Sequence, residues 1–343
     1  MAEPLRLADL TTLRVGGPAS DVVEARDGSA LIDAVATADA EGVPVLVVAG
    51  GSNLLVADDR LPHRVVLVRT RGVSVEADMC GGAYVRVAAG EDWDSLVVRA
   101  VESGWVGIEA LSGIPGSVGA TPVQNVGAYG QEVAQTIATV RTWDRLERRW
   151  RTFANADCGF GYRTSRFKAE PGRFLVLEVT FQLPLGDLGA PFSYPQLAQA
   201  LGAELGQRRP LAQVRDAVLA LRAGKGMVLD PADHDTWSAG SFFTNPLLSY
   251  NDADRLPPEA PRWPNGDGRV KTSAAWLIEQ AGFSRGHGGG PARISTKHTL
   301  ALTNRGAATS ADLLALAREV RDGVRAEFGV ELVNEPVLVG CSL

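Results

Sequence analysis

One segment, residues 113–130 (GIPGSVGATPVQNVGAYG), contains five glycines with apolar side chains between them. A flexible linker would lack those apolar residues, so we expect the segment to be ordered, with its backbone exposed to a ligand. A second glycine turn, GGSN at 50–53, directly follows the apolar run 44–49. That run predicts a strand buried on both faces. Alone the short turn is most often only a tight turn, but two such loops suit a long ligand with a diphosphate. Neither loop has the Rossmann pattern, because no GxGxxG opens a helix directly after a strand.

The remaining pattern predicts an α+β protein of two or three domains for 343 residues. Apolar spacing predicts a helix between Ser29, its N-cap, and Gly42, its stop. It also predicts a short helix around 96–101 and a helix over 313–328 that Gly329 ends. Strands are predicted at 83–90, 140–143 and 174–183, a surface loop at 251–269, and a closing strand over 330–340.

Bulk composition excludes several classes of protein. The net charge of −6 disfavours nucleic-acid binding, and no apolar run of about 18 residues predicts a membrane span. The N-terminus does not have the pattern of a signal peptide. Three separated cysteines fit a reducing compartment, and no cysteine or histidine spacing predicts a metal site. We therefore expect a cytoplasmic protein. As a separate expectation, it is a monomer or weak dimer.

Six segments in fixed order resemble the UDP-N-acetylenolpyruvoylglucosamine reductase family. They are TTLRVGGPA (11–19), AGGSNLLV (49–56), SGIPGSVGATPVQNVGAYG (112–130), FGYRTSRFK (160–168), GSFFTNP (240–246) and NEPVLVG (334–340). The resemblance implies a vanillyl-alcohol-oxidase-like (PCMH-type) two-part FAD-binding fold with a separate α+β substrate-binding domain. It implies FAD-binding subdomains at 1–71 and 72–226, with the C-terminal strand 329–343 returning to the second. The substrate domain would be 227–328.

The resemblance also implies a reaction and its cofactors, FAD and NADPH. NADPH reduces FAD, and hydride then passes to the enolpyruvyl C3 of a nucleotide-sugar substrate while a proton is added at C2. The product is UDP-N-acetylmuramate, a peptidoglycan precursor. The implied cofactor-binding positions are Gly50, Gly51, Ser52, Asn53, Ser112, Gly113, Ile114, Pro115, Gly116, Ser117, Gly119, Ala120, Asn125, Gly127, Ala128 and Tyr129.

Three residues match the family's catalytic positions. Ser241 matches the proton donor, and Arg163 matches the arginine that holds the substrate carboxylate, where a guanidinium suits the developing enolate charge. Glu335 has the family's offset from Gly340, with Glu331 as the competing candidate. By period two, Glu335 would share a face with valines, and burial there would keep its carboxyl neutral.

The resemblance implies a further set of substrate contacts, made by Tyr162, Arg163, Tyr194, Lys225 and Asn245. Thr244 stands where many relatives carry a lysine. Lys225 matches a different lysine of the family, one that an Asp-Pro pair often follows closely; here that pair, Asp230-Pro231, lies further along the chain. A surface role for Tyr194 or Lys225 is an equal alternative.

Two rival functions remain at this stage. One is an FAD-dependent oxidase of the same fold acting on an alcohol or sugar; some of these tether FAD to a histidine, and neither glycine loop here contains histidine. The other is an inactive nucleotide-sugar-binding regulator, which would be expected to have lost Ser241, Arg163 and Glu335.

Overall fold

The computed structural model describes residues 5–78 and 80–343, which divide into two compact units. The central unit comprises Asp21–Gly50 and Pro62–Gly224. The terminal unit comprises Met1–Ser20, Gly51–Leu61 and Lys225–Leu343. Each unit has hydrophobic clusters made only of its own residues. The three-domain division implied by the resemblance stays a prediction.

The described residues form short helices and strands joined by many turns. The helices are α1 Gly28–Glu41, α2 Trp93–Glu102, α3 Arg166–Ala169, α4 Pro195–Ala200, α5 Leu211–Gly224, α6 Tyr250–Asp254, α7 Ala274–Gln280 and α8 Ser310–Phe328. The strands are β1 Asp21–Ala25, β2 Val45–Val48, β3 Leu54–Val56, β4 Arg64–Val68, β5 Val73–Asp78, β6 Gly82–Ala88, β7 Gly127–Ala128, β8 Gln131–Glu132, β9 Ile137–Asp144, β10 Arg149–Ala154, β11 Phe174–Leu183, β12 Leu247–Leu248, β13 Arg262–Pro264, β14 Val270–Thr272, β15 Ala292–Ile294, β16 Leu302–Asn304 and β17 Val337–Val339. Among the residues described, no helix combines the length and the apolar composition that a membrane span requires.

Helix α1 packs on a small parallel sheet in the central unit, with strand order β1-β4-β2. Asp27 caps the helix, because its carboxylate accepts a hydrogen bond from the N–H of Ala30. The predicted cap, Ser29, is therefore wrong: it lies inside the first turn. Gly42 ends the helix in the left-handed conformation, as predicted.

The prediction that the run 44–49 is buried on both faces is wrong. Strand β2 lies at the edge of its sheet, and its residues alternate between buried and more exposed, with Val47 exposed. A sheet that packs on one face produces this alternation even when every side chain is apolar. The central strand β4, which the sequence pattern did not single out, is the more buried one.

A larger antiparallel sheet fills the rest of the central unit, with strand order β10-β9-β11-β6-β5. The predicted strand at 174–183 is confirmed, and its side chains alternate between the core and the opposite face. Helix α2, also predicted, contributes Trp93 to the core, where the indole lies 5.9 Å from the ring of Phe181. This arrangement places the start of α2 beside the glycine-rich segment.

The terminal unit packs around helix α8, whose predicted apolar stripe is confirmed. Leu313, Leu316, Ala317, Val320 and Val324 are buried on it. A capping box formed by Thr309 and Asp312 opens this helix, and Gly329 ends it as predicted. The predicted surface loop 251–269 contains most of α6 and all of β13.

The C-terminal strand departs from prediction in both length and partner. Only Val337–Val339 is strand, and it pairs in parallel with Leu54–Val56. That partner lies in the predicted first FAD subdomain, so the predicted return of 329–343 to 72–226 is corrected. The backbone of residues 333–335 instead forms antiparallel hydrogen bonds with residues 242–244. These residues therefore do not continue the strand that pairs with β3.

Candidate cofactor and substrate site

In the central unit the backbone of Gly50 meets that of Gly116 in the longer glycine segment. A Cβ atom added to Gly50 would lie 2.6 Å from the Cα atom of Gly116, so only glycine permits this approach. Helix α2 holds the longer loop: the N–H of Trp93 donates to the carbonyl of Gly116 at 3.1 Å, and the indole N–H donates to Leu111 O at 3.0 Å. The carboxylate of Asp94 accepts from the N–H of Gly113 at 2.6 Å. The loop is therefore ordered and packed, as predicted.

A buried carboxylate that the sequence reading missed pins both ends of this loop. Glu109 is 1% exposed; its carboxylate accepts from the side-chain amide of Gln131, and its carbonyl accepts from the hydroxyl of Ser112 at 2.6 Å. The N–H groups of Gly107 and Ala190 also donate to the carboxylate. Because several donors bond to the buried carboxylate of Glu109, this side chain fixes the positions of the residues that flank the loop. The hydroxyl of Ser112, predicted to bind cofactor, is used in that network.

Ser117 carries the observation that tests whether FAD fits here. Its hydroxyl is buried, and among residues 5–78 and 80–343 it has no hydrogen-bond partner. A buried hydroxyl without a partner is rare, and a phosphate or ribose oxygen is a suitable one. Because Ser117 directly follows Gly116, whose backbone meets that of Gly50, the residues present fit the diphosphate part of FAD.

Three predicted site residues share an unusual backbone conformation. Asn125, Tyr129 and Arg163 have φ of 48°, 49° and 52°, which is costly for residues other than glycine and tends to occur at functional sites. The guanidinium of Arg163 donates to the carbonyls of Asn125 at 3.3 Å and Gly127 at 2.6 Å. It also lies 5.5 Å from the ring of Tyr162. The resemblance segments 112–130 and 160–168 are thus in direct contact.

The side chain of Asn125 is committed to holding these segments together. Its amide nitrogen donates to Glu132 at 2.8 Å and to the carbonyl of Gly161 at 3.1 Å, and its oxygen accepts from the N–H of Ala134. Its predicted contact with cofactor stays a prediction, but the structure assigns its side chain a scaffolding role.

A second cation that the sequence reading missed lies beside this loop. Arg222, in α5, interacts electrostatically with Tyr129 and Asp94, and burial lowers the pKa of its guanidinium. Burial raises the pKa of Tyr129, an effect that the charge of Arg222 partly opposes. The ring of Tyr129 meets that of Tyr194 edge-on at 5.6 Å, which brings together two residues predicted for different roles. Nothing in the helical pattern of 211–224 marks Arg222 as different from neighbouring arginines.

In the terminal unit, three distant segments meet around two of the predicted catalytic residues, Ser241 and Glu335. The N–H of Glu335 donates to the carbonyl of Phe242, next to Ser241, at 2.8 Å. The side-chain amide of Asn53 donates to the carbonyl of Glu335 at 3.3 Å. Thr244 donates from its N–H to the carbonyl of Val333 at 3.0 Å. Glu335 is thus bonded through its backbone both to the residue that follows Ser241 and to the side chain of Asn53.

The reason first given for a neutral Glu335 is wrong. Val333 and Val337, the nearer valines of the predicted face, are 62% and 52% exposed; Val339 is buried but lies four residues away, so no buried valine face surrounds this residue. The segment is not a continuous strand there, because 333–335 pair with 242–244 and only 337–339 pair with β3. The competing candidate, Glu331, is exposed and lies within 3.6 Å of two arginines, Arg321 and Arg325.

The remaining predicted residues fall into both units. Gly51 has φ of 60°, and an added Cβ would lie 1.7 Å from the carbonyl oxygen of Leu10. The side-chain oxygen of Asn245 accepts from the N–H of Ala274 at 2.9 Å, at the start of α7. Lys225 follows α5 and is partly buried. Their predicted ligand contacts, with those of Ser52, Ile114, Pro115, Gly119, Ala120 and Ala128, stay predictions. Within the described ranges, no group of three His, Cys, Asp or Glu residues could hold a metal ion.

Comparison with known proteins gives concordant matches. A family model described as "UDP-N-acetylenolpyruvoylglucosamine reductase, C-terminal domain" matches residues 230–339, and one described as "FAD binding domain" matches 19–147. Proteins named UDP-N-acetylenolpyruvoylglucosamine reductase are similar over nearly the whole chain: that of Cutibacterium acnes is 56% identical over 99% of this chain and 91% of its own, and that of Thermobifida fusca is 54% identical over 100% and 99%. The crystal structure of the Thermus caldophilus reductase has a TM-score of 0.65 at 26% identity, covering 99% of each chain.

Proposed function

The chain belongs to the UDP-N-acetylenolpyruvoylglucosamine reductase family, and on that basis we propose that it reduces the enolpyruvyl ether of UDP-N-acetylglucosamine to UDP-N-acetylmuramate, with FAD as cofactor and NADPH as electron donor. It is an FAD-dependent oxidoreductase. The observation that carries the proposal is the hydrogen-bonded assembly of the terminal unit, in which the N–H of Glu335 donates to the carbonyl next to Ser241.

Bound FAD would supply the hydride chemistry that links NADPH to the enolpyruvyl double bond. The residues of the central unit that would hold it are those where the glycine loops meet, Gly50, Gly116 and Ser117. The chain is acidic overall, so binding an anionic diphosphate and an anionic substrate requires local cations. Arg163 and Arg222 are two cations near this loop.

The chemical roles follow from what hydride addition does to the substrate. Addition next to a carboxylate builds negative charge on that group, and Arg163 would hold it with a guanidinium that backbone carbonyls orient. Ser241 would then donate the proton to C2, and Glu335 would stabilise the enolate from the paired segment. Tyr162, Tyr194, Lys225 and Asn245 would contact the rest of the substrate.

We also propose the setting of this reaction. Its product is a precursor of peptidoglycan, so the chain would act in cell-wall synthesis, in the cytoplasm, as a monomer or weak dimer. Gel filtration with light scattering tests the oligomeric state.

The decisive test separates the two half-reactions of Ser241→Ala by stopped-flow absorbance. NADPH should bleach the yellow colour at the unmodified rate, because that step needs no proton donor to carbon. Reoxidation by the enolpyruvyl substrate should slow by about 10²–10⁴-fold, the usual contribution of a positioned proton donor. Ser241→Cys should keep more of the second step than Ser241→Ala. Reoxidation of Ser241→Ala at the unmodified rate would exclude the proposed role.

A further inference from the structure

Thr12 lies between two turns of the terminal unit that carry predicted functional residues. Its hydroxyl donates to the carbonyl of Ser238 at 2.6 Å, three residues before Ser241. Its N–H donates to the carbonyl of Gly51 at 3.3 Å, and the hydroxyl lies 3.3 Å from the carbonyl oxygen of Ser52. Thr12 is buried, so water does not compete for these bonds. Thr12 thus joins the turn Gly51–Ser52, called the cofactor turn here because both residues are predicted to bind FAD, to the turn that leads to Ser241.

The residues that follow Thr12 are fastened to the same turn. The side-chain amide of Asn304 donates to the carbonyls of Leu13 and Arg14, while its N–H donates to the carbonyl of Trp237. The guanidinium of Arg14 stacks on the indole of Trp237 at 4.4 Å. Arg14 has φ of 53°, a conformation that persists only when several contacts enforce it. Segment 12–14 therefore holds the backbone of residues 237–238 in place.

From Ser238 to Ser241 the chain has little freedom to absorb a displacement. The N–H of Gly240 donates back to the hydroxyl of Ser238 at 3.2 Å. The N–H of Phe242 donates to the carbonyl of Leu300 at 2.7 Å, which fixes the far side of Ser241. Movement of the Ser238 carbonyl would therefore be transmitted to the serine.

We propose that Thr12 is a positioning residue that sets the place of Ser241 relative to the cofactor turn through its hydrogen bond to the carbonyl of Ser238. The inference rests on the proposed role of Ser241. Thr12 touches neither hydride nor proton in this proposal. It acts by holding a backbone turn, and proton transfer is sensitive to displacements of a fraction of an ångström.

The test uses Thr12→Val, which keeps the shape and removes the hydroxyl, in the FAD-loaded full chain. Thr11→Val is the matched control, because Thr11 is as buried and its hydroxyl donates to Val15 O and contacts neither turn. Thr12→Val should slow reoxidation by substrate by about tenfold or more, with bleaching by NADPH changed less than about threefold. Thr12→Ser should restore reoxidation, whereas Thr11→Val should leave both steps unchanged. Thr12→Cys, a weaker donor of similar size, replaces Thr12→Val if that variant does not fold.

The double variant Thr12→Val/Ser241→Ala separates the possible outcomes. If Thr12 acts through Ser241, the double variant reoxidises as slowly as Ser241→Ala alone. Multiplied defects, equal slowing of both half-reactions, or failure of Thr12→Ser to restore the rate would each overturn the inference. A normal Ser241→Ala would refute the proposed function of the serine, whereas a slow Ser241→Ala with a normal Thr12→Val would refute only the role of Thr12.

Discussion

The central and terminal units assemble their predicted site residues by different means. In the central unit the bonds span shorter stretches of chain: Asp94 to Gly113 over 19 residues, Asn125 to Gly161 over 36 and Glu109 to Ala190 over 81. In the terminal unit they join distant segments: Thr12 to Ser238 over 226 residues and Asn53 to Glu335 over 282. Closing such long loops costs entropy before any contact compensates it. The predicted site residues of the terminal unit therefore depend on contacts between distant parts of the chain, whereas those of the central unit depend on shorter loops.

The largest effect is expected from Gly51→Ala, which strikes the long-range assembly of the terminal unit. The added Cβ would overlap the carbonyl oxygen of Leu10, and φ of 60° is itself unfavourable for alanine. We expect a loss of about 4 kcal/mol in the free energy of unfolding and weakened FAD binding, measured by urea denaturation and FAD titration. Gly28→Ala is the control, since nothing lies within 4 Å of its added Cβ. Unchanged stability of Gly51→Ala would show that the N-terminal segment is not held as described.

A smaller loss of stability is expected from Asp144→Ala, which removes hydrogen bonds between residues of the central unit that lie within 29 positions of one another. Asp144 is fully buried; it accepts from the guanidinium of Arg173 at 2.9 Å and from the N–H groups of Leu146 and Glu147. We expect a loss of about 2 kcal/mol at pH 7, with no change in the reoxidation step. Asp267→Ala, in an exposed pair with Arg269, should change stability little.

The pH dependence of Asp144→Ala has a definite sign. The hydrogen bond from Arg173 lowers the pKa of Asp144 in the folded chain. A carboxyl group whose pKa is lower in the folded than in the unfolded chain stabilises the fold at pH values above its ordinary pKa. That stabilisation is lost as the pH falls through the folded pKa. The stability difference between the unmodified chain and Asp144→Ala should therefore shrink below about pH 4. A difference that stays constant from pH 7 to pH 3 would contradict the ion-pair explanation.

The smallest effect concerns thiol labelling, which compares how the two units open. Burial raises the pKa of the Cys158 thiol, in the central core, to about 12, and also raises that of Cys341 after β17. Exposed Cys80 should react first with a disulfide reagent at pH 8. Cys341 should follow, since β17 pairs through only three residues, and Cys158 should react last. Equal rates for Cys341 and Cys158 would show that both units open together.

Much of the local structure was predictable because its causes are local. The apolar stripe and Gly329 defined α8, and alternation defined β11. The glycine segment 113–130 was predicted to be ordered because its apolar residues need a core, and Val118 and Val123 do pack in one. Motif order further identified the family, because six segments in sequence are far more specific than one.

Errors arose wherever burial or pairing depends on a distant partner. An apolar run cannot reveal that β2 lies at a sheet edge, and a valine pattern cannot reveal that 333–335 pair with 242–244. The residues adjacent to Glu109 and Arg222 in the sequence do not indicate that these two side chains are buried. Their roles depend on that burial, so the sequence pattern could not predict them.

The amino-acid sequence by itself determined which residue types stand in the glycine loops and in the serine motif, and so the chemistry that the family resemblance implies. Only the tertiary structure decided which residues hold those motifs in place. Glycine tolerance and side-chain periodicity act within a few residues, whereas the hydrogen bonds of Thr12, Asn53 and Asn304 exist only after loops of more than 200 residues have closed.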